Sequence, residues 1–434
     1  MPKSNTKSKA KKPPVGVKRT PLERTRRVLD ISVTERETFA ICPRRWELEV
    51  LENLAPRVPL GQNLDIGSAA HEGLEGYYIT KHNGAAFPPG HAPSPLDAAL
   101  QALENWYNRN ADRIDDDPEL VSEAKDALQD ELWDMGNFVE EMLTAYHQFA
   151  KVEDDFTIHA VEGLITGAGK SWLSKHHGER EWISSIADTG VVVDEESGRL
   201  LCPIIDPRTK ECLPGKPVLS AKIDLLVHSI AEGRKGLWVI DHKTTGSTPA
   251  DRGLDFFDQP TGYCYIVWRW LGILPRGVIY NYLIKKEVKP PKINKGNKLS
   301  TDKRQLTTAA MYRAELEERG LMTKGKIANK EMRETYEAFL QRGWSPWFQR
   351  HYAMRNVFEL QSFEERLADE YQDMLDVYEE VHPALPHFGL PHLPWCNYCS
   401  VAPICQAIED GSDADQIIDS RYMQAPDRKA IRHW

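Results

Sequence analysis

The sequence predicts an α/β fold, with a sheet in the middle of the chain and helices before and after it. Between residues 96 and 151 the apolar positions recur at helical spacing, with Leu128, Leu132, Met135, Val139 and Leu143 on one stripe. From residue 156 the period shortens to the alternation of strands. Residues 237–245, LWVIDHKTT, then form an apolar run closed by an acid, a spacer and a lysine, which reads as a buried strand delivering its last side chains to a site. Alternation along a strand puts Asp241 and Lys243 on one face. A carboxylate that holds a divalent metal, beside a lysine that orients water and offsets charge on a phosphate, suits phosphodiester hydrolysis. Taken alone, the tripeptide also fits a solvated strand end.

Length and composition bound the answer. The 434 residues suit two or three domains, or one large domain with insertions, and 41% hydrophobic content is enough for a sizeable core. There is no apolar run of about 18 residues to span a membrane. The basic N-terminus lacks the apolar stretch of a secretory signal. Seven cysteines in so long a chain point to a reducing, cytoplasmic setting rather than a disulfide framework. The net charge of -10 disfavours a polyanion partner at first sight, but charge is unevenly placed. Residues 1–27 hold ten Lys/Arg and one acid, and residues 285–304 hold eight Lys/Arg and two acids. Local field, not net charge, steers a polyanion.

In chain order, residues 1–27 form a basic tail expected to be disordered, either a DNA-contacting arm or a solubilising segment. A helix starts near Ser32 or Thr34 as cap and leads to Cys42-Pro43-Arg44-Arg45-Trp46. Gly67 and Ala70 allow close helix packing, and His71, one turn beyond Gly67, faces a site or a satisfied core. Two helices fill 96–151, broken near Asp115-Asp116-Asp117-Pro118. Residues 156–165 read as one strand carrying Glu162 in its second half. Residues 191–205 read as a hairpin. Residues 217–228 read as an apolar strand interrupted by Asp224, a carboxylate too costly to bury unless paired or metal-bound. After 237–243, a helix from about Asp258 sets Gln259 and Tyr263 on one face. Residues 278–288 read as a long strand, 285–304 as a mobile basic loop, and the rest as helices at 305–320, 328–342 and 354–381. The aromatics and bases at 343–352 suit base stacking or a buried aromatic corner. The expected division is a tail 1–27, a helical region 28–155 with Cys42 and His71, a core sheet 156–290, a basic loop 291–304, a helical region 305–390 and a cysteine region with tail 391–434.

Cys396, Cys399 and Cys405 are spaced CxxC-x5-C, the most specific single pattern in the chain. Cys42, followed by Pro43, is the natural fourth ligand. Four thiolates suit zinc or an iron–sulfur cluster, and ligand type does not choose between them. Cys202, Cys212 and Cys264 fall outside the pattern.

Together these residues resemble the PD-(D/E)XK nuclease superfamily, and within it the RecB-like exonucleases with an iron–sulfur cluster, such as the CRISPR-associated and AddB-like branches. The resemblance runs from Cys42-Pro43-Arg44-Arg45-Trp46 through Gly67-x-x-x-His71-x-x-Leu74-Glu75, Glu162, Lys222-Ile223-Asp224, Asp241-His242-Lys243-Thr244-Thr245 and Gln259-x-x-x-Tyr263 to Cys396, Cys399 and Cys405. It departs at Ala221 and Lys222, where small turn residues are usual, and at His242, where tyrosine is usual. Residues 285–381 look most like phage-encoded members.

The resemblance implies a restriction-endonuclease-like core, a mixed central sheet flanked by helices, with helical insertions and a C-terminal cluster region. It implies Mg²⁺ or Mn²⁺ held by His71, Asp224, Asp241 and the His242 carbonyl, with Glu162 as a second-shell or second-metal residue. Asp224, Asp241, Lys243, Gln259 and Tyr263 become the catalytic set. Cys42, Cys396, Cys399 and Cys405 would hold a [4Fe-4S] cluster of structural role, with zinc as the alternative. Arg44, Arg45, Lys285, Lys286, Arg350 and Arg355 become DNA contacts. The activity implied is a DNA exonuclease in recombination, repair or end processing, acting on linear ends with a single-strand annealing or recombination protein as partner. The alternative is a DNA-end-binding module with little turnover that serves a recombination or CRISPR adaptation partner. No GxxxxGK[ST] pattern is present, so helicase activity would need another subunit.

Overall fold

The computed structural model describes residues 30–56, 62–83, 93–116, 121–162, 164–165, 190–194, 197–231, 233–247, 254, 257–323, 325–379, 381, 394–397 and 399–424. The basic tail 1–27 lies outside the described residues. In chain order the elements are β1 (Asp30–Ser32), α1 (Val33–Ile41), α2 (Pro43–Trp46) running into a π-helical turn (Glu47–Leu51), β2 (Leu54–Pro56), α3 (Gln62–Asn83), α4 (Pro95–Asp116), α5 (Ser122–Glu153), β3 (Phe156–Val161), β4 (Leu164–Ile165), β5 (Val192–Val193), β6 (Leu200–Pro203), β7 (Val218–Ala221), β8 (Leu225–Ala231) and β9 (Arg234–Thr245). There follow α6 (Asp258–Leu271), β10 (Gly277–Ile284), β11 (Ile293–Asn294), β12 (Lys298–Leu299), α7 (Ala309–Glu318), β13 (Met322–Thr323), β14 (Lys326–Ile327), α8 (Lys330–Arg342), β15 (Phe348–Met354), α9 (Val357–Tyr378), α10 (Pro394–Asn397), α11 (Ala402–Asp410), α12 (Ala414–Arg421) and β16 (Tyr422–Gln424).

The chain divides into two compact units, a larger one holding Val28–Glu37 and Leu60–Asp373 and a smaller one holding Thr38–Pro59 and Met374–Ala430. The larger unit is built on a six-stranded sheet in the order β15-β10-β9-β8-β3-β4. It is mixed: β9 and β10 are parallel, and the other neighbours are antiparallel. The run Leu237 to Ile240 is nearly inaccessible at its centre, as expected of a strand covered on both faces. The helices α3, α4 and α5 share its apolar cluster, with Leu132, Met135, Val139 and Leu143 on the α5 stripe. Glycines set the helix spacing. A Cβ at Gly76 would stand 2.8 Å from the Ala98 carbonyl oxygen of α4, and one at Gly73 would collide with Leu143 of α5. A second, four-stranded sheet runs β1-β7-β6-β5.

Four expectations are corrected. Residues 156–165 are two strands rather than one, because Glu162 takes a left-handed φ of 48° and turns the chain. The expected strand across 217–228 is split: β7 belongs to the small sheet and β8 to the large one, so Asp224 sits at the crossing instead of inside a strand. The segment 285–304 carries the β11–β12 hairpin, and the preceding strand β10 ends at Ile284. The stretch 343–352, expected between helices, contributes β15, which pairs along seven residues of β10 and buries Trp347 and Phe348. It is the aromatic corner, not a stacking surface.

The smaller unit has its own core of Leu48, Leu54, Val401, Ile404, Ile418 and Tyr422, and β2 pairs with β16. Among the described residues, no helix is long and apolar enough to cross a membrane.

Candidate active site

β9 brings Asp241 and Lys243 out at its C-terminal end. Antiparallel pairing with β8 stops at Leu225↔Ile240, while parallel pairing with β10 runs on to Ile284↔Thr245. From Asp241 onward, the β8 side of the strand is therefore free for side-chain chemistry. Asp224 fills it: its Oδ2 accepts a 2.7 Å hydrogen bond from the His242 main-chain N–H, taking over the ladder position that β8 vacates. Asp241 is 5% exposed, and Lys243 Nζ lies 2.9 Å from its Oδ2. Burial pushes the Asp241 carboxyl up, Lys243 pulls it down and Asp224 pushes it up again, with a net rise. Burial alone would lower Lys243, but the Asp241 charge wins and raises it. The Asp241 carboxylate beside it favours the charged form of Lys243.

His71 reaches the same place from α3. Its Nδ1 is 3.6 Å from Asp224 Oδ2, and its ring meets that of His242 edge-on at 6.1 Å. The approach depends on Gly67 one turn earlier, where a Cβ would stand 3.3 Å from Thr244 Oγ1 of β9. Burial opposes the Asp224 charge, but His71 and the hydrogen bond from the His242 main-chain N–H prevail and hold its carboxyl below the usual value. Glu162 and Lys222 complete this side. Lys222 Nζ lies 2.8 Å from Glu162 Oε2 and 3.6 Å from Glu75 Oε2, the acid that follows Leu74 on α3.

On the other side, Gln259 Nε2 donates to Tyr263 OH at 3.1 Å within α6. Tyr263 is buried, and burial, Asp241 and Asp224 raise its phenol. Arg355 anchors the start of this helix, donating to Thr261 Oγ1 at 2.8 Å and to the Phe257 carbonyl at 2.9 Å. Glu37 of α1 was not found from sequence. Its carboxyl is raised chiefly by burial, drawn down by Lys243 and pushed up by Asp258 and Asp241. An isolated acid on a short helix gives no spacing signal, so only the fold reveals it.

Behind the strand lies a buried polar network. Asn281 of β10, paired in register with His242, donates to Tyr146 OH at 2.8 Å and meets His242 Nδ1 at 2.8 Å. Tyr146 and Tyr78 share a 2.6 Å hydrogen bond, and Tyr78 stacks on the His242 ring. Tyr78 and Lys81 both donate to Asp154, which also pairs with Arg350. Burial pushes His242 down to about 4, so the ring is neutral. With Nδ1 accepting from the Asn281 amide, the proton sits on Nε2.

Two of the expected DNA contacts are engaged within the chain: Arg350 pairs with Asp154 and donates to Asn281 and the Glu153 carbonyl, and Arg355, 5% exposed, donates to the α6 start. Arg44 and Arg45, in the smaller unit, pair with Glu47 and Glu49 of their own helical run at 3.6 and 3.0 Å. Lys285 and Lys286 follow the end of β10, where Lys285 N donates to the Thr245 carbonyl and extends the parallel ladder.

A model of the PD-(D/E)XK nuclease superfamily matches residues 30–406. The chain belongs to that superfamily. Its mixed α/β architecture is consistent with that fold, the family suggests a nuclease acting on nucleic acid, and members of the superfamily generally depend on a metal. No curated protein matches the chain.

Among the described residues, no group of three or more His, Cys, Asp or Glu side chains is arranged to hold a metal ion. The donor chemistry at the strand end fits a hard divalent cation all the same. Asp224 and Asp241 are both buried and repel each other across the site, with an imidazole alongside. In the smaller unit Cys42, Cys396, Cys399 and Cys405 are all free thiols. Cys405 is pushed up to about 11 by burial and feels Cys42 and Cys399; Cys399 is raised by burial and feels Cys42. Thiols raised in this way become ligands when a bound cation displaces their protons. By residue type these are four soft donors.

Proposed function

We propose that this chain is a DNA exonuclease that hydrolyses phosphodiester bonds with one or more divalent cations, Mg²⁺ or Mn²⁺, in recombination, repair or end processing. The observation that carries the reading is the Asp224–Asp241–Lys243 constellation around the buried Asp241, held where β9 loses its β8 partner. Asp224 and Asp241, with His71 and the His242 carbonyl, would hold the cation, which supplies polarisation of the phosphate and a more acidic water.

The remaining work falls to the chain itself. His71 and the His242 N–H fix the Asp224 carboxylate. The Lys243 ammonium orients the attacking water and offsets charge growing on the phosphate, a role its raised pKa suits. The hydrogen-bonded pair Gln259 and Tyr263 positions the strand beside Lys243. Cys42, Cys396, Cys399 and Cys405 would hold a [4Fe-4S] cluster that closes the smaller unit, with no redox work.

The test uses end-labelled linear DNA and closed circular DNA with Mg²⁺, Mn²⁺ or EDTA, beside Asp241→Ala and Lys243→Ala. Metal-dependent loss of linear DNA alone, absent from both variants, is the expected result. Cutting of circles would make the protein an endonuclease at the same site. Binding of ends without cleavage by any preparation would replace the enzyme with an end-binding module.

A further inference from the structure

Lys222 lies outside the acid-acid-lysine set, yet it is the best-held cation beside it. Its ammonium sits between Glu162 and Glu75, and the Asp224 charge also acts on it. The Glu162 carboxylate is 7% exposed and cannot swing away. Its residue turns the chain at a φ of 48°, and its N–H donates to the Asp224 carbonyl at 3.0 Å. Its own carbonyl oxygen packs so tightly on Gly198 that a Cβ there would come within 2.3 Å. Two anionic pockets therefore share Asp224. One contains Asp241 and His71 and is faced by Lys243. The other contains Glu162 and Glu75 and is filled by Lys222.

Carboxylates gathered away from water demand positive charge. In the first pocket the chain leaves part of that demand to an exchangeable cation. In the second it meets the demand covalently, with an ammonium that chelators cannot remove. With Nζ 2.8 Å from Glu162 Oε2 and 3.6 Å from Glu75 Oε2, Lys222 stands between the two carboxylates that a divalent ion would have to bridge, whereas Lys243 meets Asp241 alone.

Resting on the nuclease reading above, we propose that Lys222 occupies the position a second divalent cation would otherwise take. The active site then runs on a single exchangeable cation, and Glu162 is the partner of Lys222 instead of a metal ligand.

The test is titration of the full-length protein with Mn²⁺ alone, free Mn²⁺ being read by electron paramagnetic resonance, with circular dichroism to confirm folding. The wild type is expected to bind a single Mn²⁺ and Lys222→Met two, whereas Lys222→Arg, which keeps the charge, stays at one. Glu162→Gln is expected to leave both stoichiometry and Mn²⁺ affinity unchanged. Two ions in the wild type, or weakened Mn²⁺ binding in Glu162→Gln, would overturn the proposal, and so would a folded Lys222→Met that still binds one. If Lys222→Met does not fold, the wild-type stoichiometry and Glu162→Gln decide the matter. A wild type that binds no Mn²⁺ would sink the metal-dependent reading along with this one. A single ion in both wild type and Lys222→Met would sink only the role of Lys222.

Discussion

At the scale of single residues, the site is a problem of buried charge. Asp241, Asp224 and Glu162 are largely removed from water, and each is tolerated because a neighbour of opposite sign or a main-chain donor meets it. Lys243 pairs with Asp241 at 2.9 Å, and its loss removes a charge that faces the phosphate in the proposed mechanism. Lys243→Gln should lower kcat by about 10²–10³-fold with substrate affinity little changed, as single-turnover and binding measurements would show. Asn281 has no solvent exposure and satisfies both Tyr146 and His242. Asn281→Leu should cost about 1–3 kcal/mol in urea unfolding, the penalty for leaving buried polar groups unmatched. Because His242 keeps Asp224 in place through its N–H, the same variant should also reduce nuclease activity. Unchanged stability would mean the network is ornamental.

At the scale of elements, the site depends on how helices are seated. The capping pair Ser32 and Glu35 starts α1. Arg36, 1% exposed, then joins it to α6 through Asp258 and to α9 through Glu370, with its guanidinium over Phe363. Arg36→Met removes a buried guanidinium while Asp258 and Glu370 keep Arg366, and should cost about 1–3 kcal/mol in chemical unfolding. The pairing also predicts a pH dependence. Burial would raise Asp258, but Arg366 and Arg36 prevail and hold its carboxyl below 3.8. A depressed carboxyl contributes stability that is fully present above 3.8 and is lost as pH falls through the lower folded value. Asp258→Asn should therefore flatten part of the acid limb of the stability curve, measured by thermal melts below pH 4. The close approach of α3 to α4 sets where His71 arrives. Gly76→Ala, facing a backbone oxygen that cannot yield, should cost about 1–3 kcal/mol and weaken activity by displacing His71.

At the scale of the whole molecule, two units with separate cores share one chain. The smaller is assembled from residues far apart in sequence, a small core that needs reinforcement. If a cluster held by Cys42, Cys396, Cys399 and Cys405 supplies it, anaerobically purified protein should contain iron and absorb in the visible. Cys399→Ala should then lose both the colour and a melting transition. A colourless variant of full thermal stability would leave the cysteines without that role. Zinc without iron would keep the staple and change its metal. Net charge of -10 with a basic stretch at 285–304 means that affinity for DNA, if Lys285 and Lys286 touch it, should fall steeply with salt.

Local pattern carried a great deal. The helical stripe of α5, the β5–β6 hairpin, the buried run of β9 and the pairing of Gln259 with Tyr263 follow from periodicity, because side-chain spacing on a helix or strand is a local property. Asp224 was singled out by its cost inside an apolar run. Other features needed the fold. Arg350 and Arg355 look like DNA contacts in the sequence, but the partners that engage them, Asp154 and the α6 start, are visible only in the fold, since exposure is decided by what packs on top. β15 reads as an interruption between helices because its partner β10 lies more than sixty residues earlier. Glu37, Asn281 and the clasp of Lys222 by Glu162 and Glu75 carry no spacing signal at all. The sequence by itself determined the superfamily, the acid-x-lysine strand end and the residue types of the site. Only the tertiary structure decided which charges meet, because those partners come from strands and helices scattered along the chain and are joined solely by packing.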